Sequence, residues 1–258
     1  MPEGDTVYQA AQRLHRALAG RTLTATDFRV PAFATVDLSG QQVDEVVSRG
    51  KHLLIRVGEH SIHSHLKMEG SWEVYPPGGR WRHPAHQARV VLRTADTEAV
   101  GFLLGTLEVL PRQRENDAVG HLGPDLLGPD WDAAEAVRRL ARHPGQPIAV
   151  ALLDQRNLAG IGNVYANELC FLRGMLPTRP VRDADLAATV ALARRMLLAN
   201  RDRTVRVTTG DTRRGRNTWV YGREGQPCLR CGTLVHRTLL GRTELEERSS
   251  YFCPVCQR

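Results

Sequence analysis

The sequence predicts an α+β multidomain chain, with an N-terminal antiparallel β-sandwich behind a leading helix, then a helical domain, then a C-terminal cysteine-bearing β-hairpin. Three observations predict it. From Thr6 to Leu18 the apolar residues Val7, Ala11, Leu14 and Leu18 recur at spacings of four, three and four, which is one face of a helix. Between about residues 21 and 110 the pattern changes to short β-branched or alternating runs separated by Gly, Pro and Ser. Past GHLGPDLLGPDWD it becomes helical, and the last stretch carries two Cys-x-x-Cys pairs.

The leading helix should take Asp5 or Thr6 as N-cap and stop at Gly20. The runs QVDEVV, HLLIRV, HSIHSHL, WEVY and ARVVLR read as strands of the sandwich. The Gly-Pro pairs of GHLGPDLLGPDWD mark a linker, and a second domain begins near residue 125. Its helices are expected over residues 133–142, ending before Pro144, and over 148–153, 164–173 and 183–199. After Arg201 the basic, Gly-rich text RDRTVRVTTGDTRRGRNTWVYGREG has no periodicity and is expected to be a mobile connection into the cysteine hairpin.

The chain has 258 residues, more than one average domain, and it divides into expected domains at 1–122, 123–220 and 221–258. Apolar residues make up 41% and charged residues 24%, the balance of a folded, soluble protein. No apolar run reaches the ~18 residues of a membrane span, and the N-terminus has no basic segment followed by an apolar one, so a bacterial cytoplasmic location is expected. The net charge of +7 suits a polyanionic partner. Lys51 and Lys67 are the only lysines among 35 basic residues. Amine nucleophiles therefore reduce to those two and the N-terminus, where removal of Met1 would expose the secondary amine of Pro2.

Cys228-Leu-Arg-Cys231 and Cys253-Pro-Val-Cys256 lie 21 residues apart, one beyond the usual range for two-pair zinc sites. Four thiolates fit one structural Zn2+ with no open position for substrate, and its role would be to hold a small hairpin together. A pair of disulfides or a redox pair is the alternative. Cys170, on an expected helix, reads as a small core residue. In LLDQRNLAGIGNVYANELC, Gly160 and Gly162 separate two helical runs, with Asn163 opening the second. The N–H groups there, together with the Asn163 side chain, would cradle a phosphate. A plain helical hairpin that needs Gly for its turn explains the same residues. A dinucleotide fingerprint does not, because GIGNVY follows a helix rather than a strand.

Taken in order, MPEG, RGKHLL, LAGIGNVYANE, VYGR and ERSSYFCPVC resemble the formamidopyrimidine-DNA glycosylase and endonuclease VIII family of base-excision repair over the whole chain. The resemblance implies a helix-two-turn-helix domain between the sandwich and a zinc-finger β-hairpin, with damaged DNA held in the cleft between domains by a monomer. It implies a bifunctional glycosylase and abasic-site lyase, associated with the nucleoid. Pro2 would attack C1′ of the damaged nucleotide and expel the base, and the resulting iminium would be the electron sink for β,δ-elimination. Glu3 would move protons beside it, with helix-dipole stabilisation as a second role. Lys51 would contact phosphate and act as a general acid, while Asn163 and Arg248 would clamp the flanking phosphates.

The base must leave the stack, and an inserted side chain must fill the gap. The resemblance assigns that wedge to Met68 of HSHLKMEG, for which a core methionine is the alternative, and places Lys67 against the backbone or the opposite strand. His63 and His65 alternate with Ser64 and read as strand residues rather than metal ligands. Tyr221 and Arg223 of VYGR either face DNA or pack. The chain departs from the family at Thr6, where a second glutamate is usual, which bears on the base-excision step more than on the lyase step. MPEG, and the absence of an Arg-Arg-Phe-Gly loop in GFLLGTLEVLPR, imply the endonuclease VIII branch and oxidised pyrimidines. A zinc-finger protein that binds damaged DNA without excising bases, or that retains the lyase step alone, is the alternative. An N-terminal-proline tautomerase would use the same amine but leaves the cysteines and the basic tail unexplained.

Overall fold

The structure, a computed structural model, describes residues 2–258; Met1, whose removal the sequence reading requires, lies outside the described residues. Helix α1 (Gly4–Leu18) buries Val7, Ala11, Leu14 and Leu18 completely, as the four-three-four spacing predicts. Burying a leucine stabilises by about 2 kcal/mol, and with the cavity left behind Leu14→Ala would cost on the order of 3 kcal/mol. The helix starts earlier than expected, with Glu3 rather than Asp5 or Thr6 as its N-cap. The Asp5 carboxylate instead accepts from Thr6 N at 2.7 Å inside the first turn, at the positive end of the helix. At the other end Gly20, at φ 76°, turns the chain so that its N–H donates to Val43 O at 2.7 Å.

Eight strands follow, β1 (Ala25–Phe28), β2 (Val43–Arg49), β3 (His52–Val57), β4 (His60–His65), β5 (Ser71–Tyr75), β6 (Ala88–Arg93), β7 (Glu98–Phe102) and β8 (Thr106–Pro111). They form two four-stranded antiparallel sheets, ordered β2-β3-β4-β8 and β1-β6-β7-β5. Both sheets and α1 share one core, in which Val46, Leu53, Ile55 and Ile62 of the first sheet meet Phe28, Trp72, Val90 and Leu92 of the second. The buried Trp72 indole N–H donates to Ser64 Oγ at 3.1 Å, so its one polar atom is satisfied where the two sheets meet. A short helix, α2 (Glu115–Val119), closes this unit. Its Glu115 receives Arg56 of β3 through both carboxylate oxygens, at 2.8 and 2.6 Å.

The chain divides into two compact units between His121 and Leu122. The second contains α3 (Ala133–Leu140), α4 (Ile148–Leu153), α5 (Asn163–Leu172), α6 (Leu186–Asn200) and the hairpin β9 (His236–Leu240) with β10 (Arg248–Phe252). Helix α3 ends two residues short of expectation. Helix α6 begins three residues later than expected, where Asp185 caps it by accepting from Ala188 N at 3.0 Å. Cys170 lies fully buried in the core of this unit, and burial pushes its thiol up to about 12. The segment after Arg201 has no helix or strand, but it is anchored rather than loose. The fully buried Glu168 carboxylate on α5 accepts from the backbone N–H groups of Trp219, Val220 and Tyr221 at 2.8 to 2.9 Å, and from the Thr208 hydroxyl.

Candidate active site and nucleic-acid interface

Pro2 lies half-buried immediately ahead of α1, and Glu3 is fully buried. The Glu3 carbonyl accepts the first helical bond from Val7 N at 3.0 Å. Asp5, 2% exposed, adds a second shielded carboxylate within the same turn. The first turn of a helix, with its unpaired N–H groups, is where carboxylates are placed most favourably. Sequence reading offers Asp5 only as a candidate cap, and its burial is what singles it out as a shielded carboxylate.

Gly50 and Lys51 form the two-residue loop between β2 and β3, closed by the Arg49–His52 pair. The II′ hairpin needs a positive φ at its first central residue, and Gly50 supplies it at 58°, leaving Lys51 half-buried at the second position. Lys67 and Leu103 are the only non-glycine residues with positive φ among the described residues, at 54° and 47°. Each such backbone costs on the order of 1 kcal/mol, and such strain gathers at functional turns. Here both belong to adjoining turns. A Cβ on Gly105 would lie 2.1 Å from Lys67 Cγ, and one on Gly70 would lie 3.0 Å from Leu103 O, so both glycines are needed for the close approach. Met68, beside Lys67, is 66% exposed, which discards the core alternative.

His63 and His65 are strand residues, on β4. Among the described residues the only cluster with metal-ligand spacing is the four cysteines. His52, which sequence reading did not single out, stacks on His63 with ring centroids 5.1 Å apart and meets His65 and His121 edge-on. Burial, Lys67, Lys51 and His63 together push His65 down to about 4, so both of the chain's lysines act on one imidazole.

In the second unit, Gly162 is the N-cap of α5 and Asn163 its first residue. Asn163 is 7% exposed, and its Nδ2 donates to Ser249 O at 2.8 Å, while Asn167 Nδ2 donates to its Oδ1 at 3.2 Å. Asn167 Oδ1 in turn accepts from Tyr251 N and from the Ser250 hydroxyl. The expected side-chain cradle is thus turned largely inward. One face of α5 grips β10 and sets Arg248, exposed at its start, beside Ser249. The sequence could not give Asn167 this role, since only the fold shows where β10 lies.

Tyr221 packs edge-on against Tyr251 with centroids 5.3 Å apart, and its N–H is one of the donors to Glu168. Arg223 is 6% exposed, donating to Gly215 O and, at 2.9 Å, to Pro227 O. Of the two expected roles for Arg223 the structure favours packing, because its guanidinium binds backbone carbonyls of the turns leading into the cysteines.

Cys228, Cys231, Cys253 and Cys256 bring their four sulfurs within 4.8 Å of one another. The closest approaches, 3.4 Å for Cys231 to Cys253 and 3.9 Å for Cys228 to Cys256, bracket the ~3.8 Å edge of a tetrahedron with metal–sulfur bonds of about 2.3 Å. A metal ion fits there. Arg230 N points to Cys228 Sγ at 3.4 Å, and Gln257 ties the second pair to the helical core, accepting from Cys253 N at 2.8 Å and donating to Met175 O at 2.7 Å.

Residues 1–103 match the formamidopyrimidine-DNA glycosylase N-terminal domain, and residues 122–199 match the H2TH domain of the same enzymes. The whole chain is 58% identical to 99% of the DNA-(apurinic or apyrimidinic site) lyase Nei2 of Mycolicibacterium smegmatis. The chain belongs to the formamidopyrimidine-DNA glycosylase and endonuclease VIII family. Within that family it falls in the endonuclease VIII branch, since it is also 58% identical over its full length to 94% of the probable endonuclease 8 2 of Streptomyces coelicolor. The solved complex between the Lactococcus lactis Fpg and an abasic site containing DNA superimposes with a TM-score of 0.82 over 99% of both chains. At 20% identity that likeness speaks to the fold, and the residues matched to the H2TH domain contain α3 to α5 and nearly all of α6.

Proposed function

We propose that this protein is a DNA glycosylase and abasic-site lyase of base-excision repair, with Pro2 as its nucleophile. The observation that carries the reading is the N-terminal turn, where Pro2 heads α1 and is followed at once by a fully buried carboxylate, Glu3. Attack of the Pro2 amine on C1′ expels the base and leaves an iminium that drains electrons from C2′, so strand cleavage follows from the same adduct. Glu3 moves the proton needed for sugar opening and base departure. Lys51, presented by the II′ turn, contacts the reacting nucleotide.

Met68 fills the gap left by the extruded base, and the strained backbone of Lys67 sets its approach. Arg248 contacts backbone phosphate at the position that Asn163 and Asn167 fix, and the α5 N-terminus adds its N–H groups to the same task. Tyr221 and Arg223 shape the surface around them. One Zn2+ on the four cysteines holds the hairpin that carries Arg248, and all of these groups come from one chain, so a monomer suffices. Such an enzyme works on the chromosome, in the bacterial cytoplasm; no helix among the described residues is long and apolar enough to cross a membrane.

Oxidised pyrimidines are the substrate class the endonuclease VIII branch favours. Thr6 stands where the family has a second glutamate, so cleavage of preformed abasic sites outweighs base removal, with Asp5 as the nearest substitute carboxylate. The test compares two duplexes, one with an oxidised pyrimidine and one with an abasic site. Glu3→Gln should cut base release on the order of 100-fold, and incision at the abasic site less. Wild-type rates on both substrates in Glu3→Gln would refute the assignment.

A further inference from the structure

Three side chains on one face of the β2-β3-β4-β8 sheet form a continuous hydrogen-bonded line across three strands. Glu108 on the edge strand β8 lies opposite His63 on β4, and its Oε2 is 2.9 Å from His63 Nδ1. His63 Nε2 is 2.8 Å from Nδ1 of His52, the first residue of β3 and the neighbour of Lys51. We propose that His52 is the proton acceptor and donor for the reaction at the Lys51 turn, with His63 and Glu108 as the positioning relay that connects it to solvent. The proposal rests on the reading that Lys51 contacts the reacting nucleotide.

Hydrogen-bond logic fixes the polarity of the line. A carboxylate only accepts, so His63 Nδ1 carries a proton and donates it, which leaves His63 Nε2 as an acceptor for the Nδ1 proton of His52. The lone pair of His52 is therefore on Nε2, the nitrogen on the far side of the ring from His63. Glu108, with 48% of its side chain exposed, puts the other end of the line in contact with water.

The groups around His52 explain why it needs a relay. His65 and His63 of β4, His121 beyond α2 and Lys67 of the β4–β5 turn all face it, and burial together with these groups pushes it down to about 3. His52 cannot hold a proton as imidazolium near neutral pH. It can gain one at Nε2 only as the Nδ1 proton leaves. The iminium C2′–H bond breaks, and its electron pair becomes the C1′=C2′ bond as the iminium pair withdraws to nitrogen; the enamine then expels the 3′-phosphate. The C2′ proton bonds to His52 Nε2, the His52 Nδ1 proton to His63 Nε2, and the His63 Nδ1 proton to the Glu108 carboxylate. The reverse shift returns a proton from His52 Nε2 to the departing group and restores the starting tautomers.

The experiment measures single-turnover cleavage of an abasic-site duplex against pH for the wild type, His52→Gln and Glu108→Gln, alongside DNA affinity and borohydride-trapped adduct. His52→Gln should slow cleavage on the order of 100-fold, and Glu108→Gln should slow it less and alter the pH profile. DNA affinity and trapped adduct should stay at wild-type level, because iminium formation does not need the relay. Imidazole added to His52→Ala should restore part of the rate. Wild-type cleavage with an unchanged profile in both variants would overturn the proposal, as would parallel losses of affinity, trapping and cleavage, the mark of a structural role. If the wild type itself gives no adduct, the lyase reading fails and the proposal falls with it.

Discussion

Asn163 and Ser249, 86 positions apart in sequence, are joined by a hydrogen bond of 2.8 Å from the Asn163 amide to the Ser249 carbonyl. That bond couples the glycine turn before α5 to the strand that begins with Arg248. Asn163→Ala removes it and one of the two acceptors of Asn167 Nδ2, which keeps its 2.6 Å bond to the Asn163 backbone carbonyl. The substitution should cost about 1–3 kcal/mol, measured by urea denaturation, since buried polar partners are left unsatisfied. It should also weaken DNA binding through displacement of Arg248, with a smaller salt dependence. Unchanged stability and affinity would show that the hairpin is held by other contacts.

The cysteine site gives an independent check. Purified protein should carry one zinc per chain, measured by elemental analysis. Chelation should collapse the β9–β10 hairpin and abolish DNA binding, while the first unit, whose core contains no cysteine, keeps its secondary structure. Metal-free protein that binds DNA normally would remove the metal from the account.

Met68 should separate function from stability. Because the residue is 66% exposed, Met68→Ala should change stability by less than about 0.5 kcal/mol. Incision of duplex DNA should nevertheless fall, with single-stranded substrate less affected, because only a duplex requires the vacancy to be filled. Equal losses on both substrates would contradict a wedge.

The ion pair behind the first sheet predicts an acid limb of stability. Burial raises the Glu115 carboxyl, but hydrogen bonds from Arg56 and Ser61 outweigh it and hold the group below its ordinary range. A carboxylate lowered by folding stabilises above its unfolded value and loses that contribution as pH falls through the lower, folded one. The urea midpoint should therefore drop below about pH 4.5, and Glu115→Gln should flatten that drop. An identical acid limb in Glu115→Gln would assign it to other groups.

Much of this architecture was legible before the structure. The helical face of α1 and the strands from β2 to β6 follow from apolar spacing, because those positions touch the core directly. Asp5 and Thr6 look like caps by residue type, whereas the geometry puts Glu3 at the N-cap and Asp5 inside the first turn. The line from Glu108 through His63 to His52 was not legible, since strand register across three strands decides it and no local pattern encodes register between β4 and β8. Glu168 was hidden for the same reason, as its partners lie 40 to 53 residues away. Residues that work through their immediate neighbours could be read, and residues that work across the fold could not.

The most direct test of the central claim is borohydride trapping on DNA containing an abasic site, with mass spectrometry of the adduct and of the intact chain. A covalent adduct should form on Pro2, in protein from which Met1 has been removed. Efficient cleavage by protein that retains Met1, or an adduct on Lys51 or Lys67 instead, would contradict it.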